Sequence, residues 1–310
     1  MGITEIKYKD REEWLQLRHN YIGGSDAGAV IGANPYKSAY QLWAEKTGRY
    51  PEFQGNLTTE VGSYLEEFVA KLFQRETGKN VRRKNRILVN DQYPFACADV
   101  DRVVVGERAL LEIKTTNSFL IMRQLHGTEF PDAYYVQCVH YLAVTGCERI
   151  YLAVLMNCRD FKVFCLERDQ DEIDALMAAE EAFWQYIVND TAPAPDGSAS
   201  TADTLGILYP DSNEETVDLD QVEDALEAYM SYSAQVKILS SLRDEQANTI
   251  KAYMKDAGKG ECSRFKVSYA SSSRKTFDAR RFAKEHAGID LEPYYKSTTS
   301  RTFKVIEKGA

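Results

Sequence analysis

Paired cysteines, long apolar runs and an excess of positive charge are all missing from this sequence. The six cysteines, Cys97, Cys138, Cys147, Cys158, Cys165 and Cys262, include no C-x-x-C pair, which speaks against a zinc site and a disulfide framework and leaves free thiols, expected to be buried. No apolar run approaches the roughly eighteen residues that a membrane helix needs. The start MGITEIKYKDREEW has neither an apolar signal core nor a cleavage site, so the reading is a cytoplasmic protein with no membrane partner. With 38 Lys and Arg against 47 Asp and Glu, the formal charge is -9. That excludes a surface coated throughout by nucleic acid, though not a local basic channel. No Gly-rich nucleotide loop follows any strand-like segment, and His19, His126, His140 and His286 form no spaced metal set.

What is there is a soluble-type composition, 44% hydrophobic over 310 residues, enough for one large core or two modest ones. TAPAPDGSASTADT, residues 191–204, lacks any apolar period and reads as a linker. It predicts a body over 1–190, a linker over 191–213 and an extension over 214–310. In the body, Val61, Leu65, Phe68, Val69, Leu72 and Phe73 recur at helical spacing between Thr58 and Glu76, and Gly78 is the stop. Val81 to Asn90, Pro94 to Val105 and Ala109 to Thr115 read as strands, the last two joined by a hairpin at Gly106-Glu107-Arg108. A helix over Pro131 to Val144 and strands at Arg149 to Met156 and Phe161 to Leu166 complete an α-β-β-β-α-β-β order. The extension predicts a long helix or helical pair from Val217 to Lys255, then RFKVSYA and RTFKVIE as strands around a short helix at Ala279 to His286.

The chemistry concentrates at Leu110-Leu111-Glu112-Ile113-Lys114. Strand side chains alternate, so Glu112 and Lys114 share one face while Leu111 and Ile113 share the other. Asp101, on the preceding strand of the same hairpin, can reach that face; Asp99 shares its side, and periodicity does not choose between them. Carboxylates beside a lysine suit a hard divalent cation held by oxygen and a water aimed at a phosphodiester. A surface cross-paired salt bridge gives the same E-x-K pattern. On the first helix, Glu66 lies about 20° from Phe73 around the axis and borders the apolar stripe, whereas Glu67 points away. Gln137 and Tyr141 stand one turn apart on the second helix. The run Arg82-Arg83-Lys84-Asn85-Arg86 fits either a phosphate-tracking patch or a solvated turn.

These residues resemble the YqaJ-type viral recombinases, relatives of lambda exonuclease among the PD-(D/E)XK nucleases. The matching pieces are Arg18, Ile22-Gly23-Gly24-Ser25-Asp26, IGANPYKSAYQLWAEKTG, Gly62-x-x-Leu65-Glu66, Asp101-Arg102, Glu112-Ile113-Lys114 and Gln137-x-x-x-Tyr141, in the family's order. The resemblance implies an α+β fold, a restriction-endonuclease-like mixed central sheet flanked by helices, with a helical and small α+β C-terminal extension. It implies that Glu66, Asp101, Glu112 and the Ile113 carbonyl hold Mg²⁺, with Mn²⁺ able to substitute, and it favours Asp101 over Asp99. Lys114 would position or activate the attacking water, Gln137 and Tyr141 would support the site, and Arg18 and Ser25 would hold a terminal 5′ phosphate. The implied activity is ATP-independent 5′-to-3′ digestion of double-stranded DNA ends, leaving 3′ overhangs for a single-strand annealing protein of the RecT or Beta type. The implied assembly is a homo-oligomeric ring, and the implied setting a phage or prophage in a bacterial host. A structure-selective endonuclease and a non-catalytic DNA-binding module on the same fold are the alternatives. The extension lies outside the lambda enzyme's pattern and is assigned to oligomerisation or partner contacts.

Overall fold

The computed structural model describes residues 2–51, 55–126, 130–286, 288–296 and 301–307. It divides into two compact units, Met1–Tyr209 and Pro210–Ala310. The first unit begins with β1 (Ile3–Ile6), α1 (Arg11–His19), β2 (Ile22–Gly23), α2 (Gly24–Val30), α3 (Ala39–Lys46) and α4 (Leu57–Thr77). Then come β3 (Val81–Arg83), β4 (Ile87–Asn90), β5 (Tyr93–Ala98), β6 (Arg102–Val104) and β7 (Ala109–Thr116). It ends with α5 (Phe119–His126), α6 (Asp132–Thr145), β8 (Arg149–Met156), β9 (Asp160–Glu167), α7 (Gln170–Val188) and α8 (Ala199–Leu208).

A mixed five-stranded sheet in the order β3-β6-β7-β8-β9 forms the centre, and a four-stranded sheet, β1-β4-β5-β2, lies beside it. β7 and β8 are parallel, the pairing that needs a crossover, and α6 falls within the chain between them. β8 is apolar along nearly its whole length, RIYLAVLM, because both of its faces are covered. The odd-numbered residues of β7, Ala109, Leu111 and Ile113, join Val69 and Phe73 of α4 in one core cluster. Leu110, on the other face, joins the cluster that holds Val139, Leu142 and Val144 of α6. Hence Glu112 and Lys114, in step with Leu110, face the α6 side.

α4 stops at Gly78 as its sequence predicts, in the left-handed conformation at φ 71°, and at its N-terminus Asn56, which was not foreseen, accepts from the Thr59 N–H. Only its second half is buried, however. Val61 and Phe68, expected on the apolar stripe, are exposed. The expected strand Pro94 to Val105 is two strands in two sheets, broken at residues 99–101 where the chain passes from β5 to β6. Asp101 therefore lies in that break and not mid-strand. Val81 to Asn90 is likewise split between the sheets. Of the cysteines, Cys97 and Cys138 are buried as expected, but Cys158, Cys165 and Cys262 are exposed.

The segment read as a linker is structured in part. Residues 199–208 form α8, which packs on α3: Thr201 and Thr204 are buried, and Thr201 Oγ1 donates to Ser38 Oγ at 2.9 Å. A polar Ser-Thr composition here caps and anchors a helix, which is why apolar periodicity does not show it. In the second unit, α9 (Glu223–Met254) is a single long helix, followed by the hairpin β10 (Lys259–Glu261) and β11 (Lys266–Ser268) and by α10 (Ala279–Glu285). Residues 301–307, expected as a strand, carry none; β11 pairs with β10 instead.

Candidate active site

The site grows from a gap in hydrogen bonding along β7. β6 pairs with β7 only through Leu111, so the stretch from Glu112 onward has β8 on one side and an open edge on the other. Asp101 fills this gap: its Oδ2 accepts the Ile113 N–H at 2.7 Å. The break after β5 thus frees a carboxylate to act as a strand partner and sets it beside Glu112.

Glu112 is 3% exposed. Its Oε1 accepts from Lys114 Nζ at 2.7 Å and from Gln137 Nε2 at 2.7 Å, while its buried Oε2 has no partner. Gln137 also donates to the Tyr141 hydroxyl at 3.1 Å, and that hydroxyl donates to the Asp99 carbonyl at 2.9 Å. α6 therefore ties β7 to the strand break through side chains one helical turn apart. Lys114 Nζ lies over the Tyr134 ring at 5.5 Å.

Burial pushes the Asp101 carboxyl well above the usual range, and the neighbouring Glu112 charge adds to this against the pull of Lys114. Burial likewise raises Glu112, with Lys114 opposing. Burial alone would depress Lys114, but the facing Glu112 and Asp101 outweigh it and hold the ammonium above its ordinary value. Two carboxylates that repel each other and one unpartnered buried oxygen form a donor set that suits a hard divalent cation. Asp101 and Glu112 supply the carboxylates of that set.

Glu66 is not part of that pair. Its carboxylate is taken by Arg102, a buried arginine that also donates to Glu67 Oε2 at 3.2 Å. Among the described residues no group of three His, Cys, Asp or Glu side chains stands ready to hold a metal ion. The Glu66 charge still acts on both Asp101 and Glu112. Arg102 is the residue that reasoning from the sequence missed; its signal was its position directly after Asp101. Asp99 separates from Asp101 by accepting from the Trp14 indole Nε1 at 2.6 Å.

Arg18 and Ser25 meet: Arg18 Nη2 donates to Ser25 Oγ at 2.8 Å, and its guanidinium lies over Trp14 at 4.7 Å. Ser25 does not cap a helix, because α2 begins at Gly24 and the Gly23 N–H is taken by Asp26 at 3.2 Å. Two glycines permit this packing. A Cβ on Gly23 would come within 2.8 Å of Arg18 Nη2, and one on Gly24 within 2.5 Å of the Tyr141 ring. Asp26 is buried with Lys46 at 3.0 Å and Lys37 at 3.7 Å. Burial works against its ionised form, yet Lys46, Lys37 and Arg18 hold the carboxyl well below the usual range. A cleft of about 470 Å³ has Ser25 on its wall together with Lys114, Gln137, Tyr134 and Tyr36. The basic run is partly neutralised, with Arg83 on Glu67 at 3.1 Å and Lys84 on Glu5.

A mixed sheet flanked by helices, with Glu112 and Lys114 on one central strand and Asp101 in the strand break beside it, defines an α+β nuclease fold. LHK-Exo, described as an alkaline exonuclease from Laribacter hongkongensis, matches in its complex with dAMP at a TM-score of 0.50 and 19% identity, over 58% of this chain and 93% of that chain. The model of the YqaJ-like viral recombinase domain matches residues 13–148. The protein YqaJ of Bacillus subtilis (strain 168) is 35% identical over 303 residues, 96% of this chain and 94% of the relative. The chain belongs to the YqaJ-like viral recombinase family. Among the described residues no helix is long and apolar enough to cross a membrane.

Proposed function

We propose that this protein is a Mg²⁺-dependent, ATP-independent exonuclease that digests double-stranded DNA from the 5′ end and leaves 3′ single-stranded overhangs. The observation that carries this reading is the buried pair Asp101 and Glu112 beside Lys114, with Glu112 Oε2 left without a partner. The description of LHK-Exo as an alkaline exonuclease supports the same activity class.

Asp101, Glu112 and the Ile113 carbonyl would hold the cation, Mn²⁺ being able to substitute for Mg²⁺, and Glu66 would join them only by leaving its pair with Arg102. When bound, the cation neutralises phosphodiester charge and makes a water easier to deprotonate. Lys114, already anchored to Glu112, orients that water and balances charge developing on the phosphate. Gln137 and Tyr141 fix the Glu112 rotamer. Arg18 and Ser25 take the terminal 5′ phosphate, supported by the cleft that has both Ser25 and Lys114 on its wall. A ring of subunits would keep the enzyme on its substrate. The overhang would serve an annealing protein of the RecT or Beta type in the cytoplasm of a bacterial host.

The test is digestion of linear duplex labelled at one 5′ or one 3′ end, with and without a 5′ phosphate, beside closed circular DNA. Early release of the 5′ label, faster from phosphorylated ends, is the expected result. Early loss of the 3′ label refutes the polarity. Cutting of the circle favours the endonuclease, and binding without cutting the non-catalytic module.

A further inference from the structure

The helix α9 runs for 32 residues, Glu223–Met254, with no buried residue, a length of about 48 Å. An isolated helix exposing large apolar side chains along its length has no source of stability of its own. Six of its nine exposed large apolar side chains follow a heptad, with Leu242 flanking the seam and Met230 and Ile238 outside it. The a positions are Tyr229, Val236, Arg243 and Ile250, and the d positions are Tyr232, Leu239, Gln246 and Tyr253. Val236, Leu239 and Tyr253 are 62%, 64% and 90% exposed. Tyr229 rests edge-on against Phe303 at 5.4 Å and remains 43% exposed. Every charged residue of α9 except Arg243 falls on the outward b, c and f positions, and the flanking e and g positions carry none. A broad uncharged face is what helix pairing buries.

We infer that α9 pairs with the α9 of a second copy of this chain as an antiparallel coiled coil. The chain supplies its own complement in that orientation. With Val236 opposite Leu239 of the second copy, the one charge in the seam, Arg243, comes opposite Tyr232, where an aromatic face accepts a guanidinium. Tyr229 comes opposite Gln246. The acidic first turns, with Glu223 and Asp224, run beside the last turn that holds Lys251. A parallel pair would set Arg243 against Arg243 and acidic turn against acidic turn. The antiparallel pair thus selects a second copy over an unrelated apolar partner. It is independent of whether the first unit cleaves DNA.

The test is the molar mass of the full chain by sedimentation equilibrium. The 35.2 kDa chain should form an even-numbered assembly. Val236→Glu with Leu239→Glu should halve its mass and lower the helical circular dichroism by no more than the share of α9, with the melting of the first unit unchanged, because both side chains are exposed. Lys237→Glu, on the outward face, should leave the mass unchanged. For orientation, Ser233→Cys with Ser240→Cys, in a chain whose exposed Cys158, Cys165 and Cys262 are replaced by serine, should give a disulfide-linked dimer, since these positions meet only across an antiparallel seam. A monomeric wild type, or a mass unchanged in the double glutamate variant, overturns the pairing. A halved mass with no linked dimer overturns its antiparallel form.

Discussion

Replacing Gly24 with alanine should disturb the site from the side opposite the carboxylates. The new Cβ would stand 2.5 Å from Cε1, 2.9 Å from Cζ and 3.0 Å from Cδ1 of Tyr141, about 1 Å inside the separation at which carbon atoms attract. Tyr141 has little room to yield, being 5% exposed with its hydroxyl held by the Asp99 carbonyl and Gln137. Overpacking of this kind costs about 1–3 kcal/mol. In a unit of this size each kcal/mol lowers Tm by about 2–4 °C, so a fall of about 2–12 °C is expected. The displaced ring would also pull Gln137 off Glu112, and a shift of about 1 Å at a reacting centre can cost about a hundredfold in kcat. The assay is thermal unfolding and cleavage for Gly24→Ala, Tyr141→Ala and the double variant. Once the ring is gone, alanine at position 24 should cost almost nothing, a coupling of at least about 1 kcal/mol. Equal destabilisation in both backgrounds would refute the contact as the cause.

Metal should stabilise the protein increasingly as pH rises. Asp101 and Glu112 titrate above their unfolded values, so the stability linked to their protons is full below the unfolded pKa and is lost as pH rises through the folded one. The Mg²⁺-induced rise in Tm should therefore grow as pH rises above the ordinary carboxylate range, and Asp101→Asn should flatten it; a rise independent of pH would contradict this. Arg18→Ala should slow digestion of 5′-phosphorylated duplex by about tenfold to a hundredfold, the worth of a charged hydrogen bond, and spare 5′-hydroxyl ends; equal losses would place the phosphate elsewhere. Truncation after Tyr209 should leave a folded, cleaving unit, whereas truncation after Thr191 removes α8 and its bonds to Ser38 and should lower Tm by several degrees. Identical melting of the two fragments would show that α8 contributes nothing.

The parts legible in the sequence were those with a strong period. α4, β7 and α6 came from apolar spacing, and the shared face of Glu112 and Lys114 from strand alternation. What was not legible depends on contacts between distant residues. Nothing local shows that FACADVDRVVV changes sheets at residues 99–101, so Asp101 looked like a mid-strand residue. Arg102 looked like a neighbour of the site, and only the fold reveals that it occupies Glu66. α7 was not assigned because its stripe of Ile173, Leu176, Met177 and Phe183 is interrupted by Glu180, a buried acid paired with His140 at 2.8 Å. RTFKVIE alternates like a strand, but alternation names no partner.

The most direct test of the account is cleavage of 5′-phosphorylated linear duplex by wild-type protein and by Asp101→Asn and Glu112→Gln, each with Mg²⁺ and with chelator, alongside melting curves and DNA binding. Cleavage is expected only from wild type with Mg²⁺, while both variants remain folded and bind DNA. Undiminished cleavage in both variants, or wild-type cleavage that survives the chelator, would contradict it.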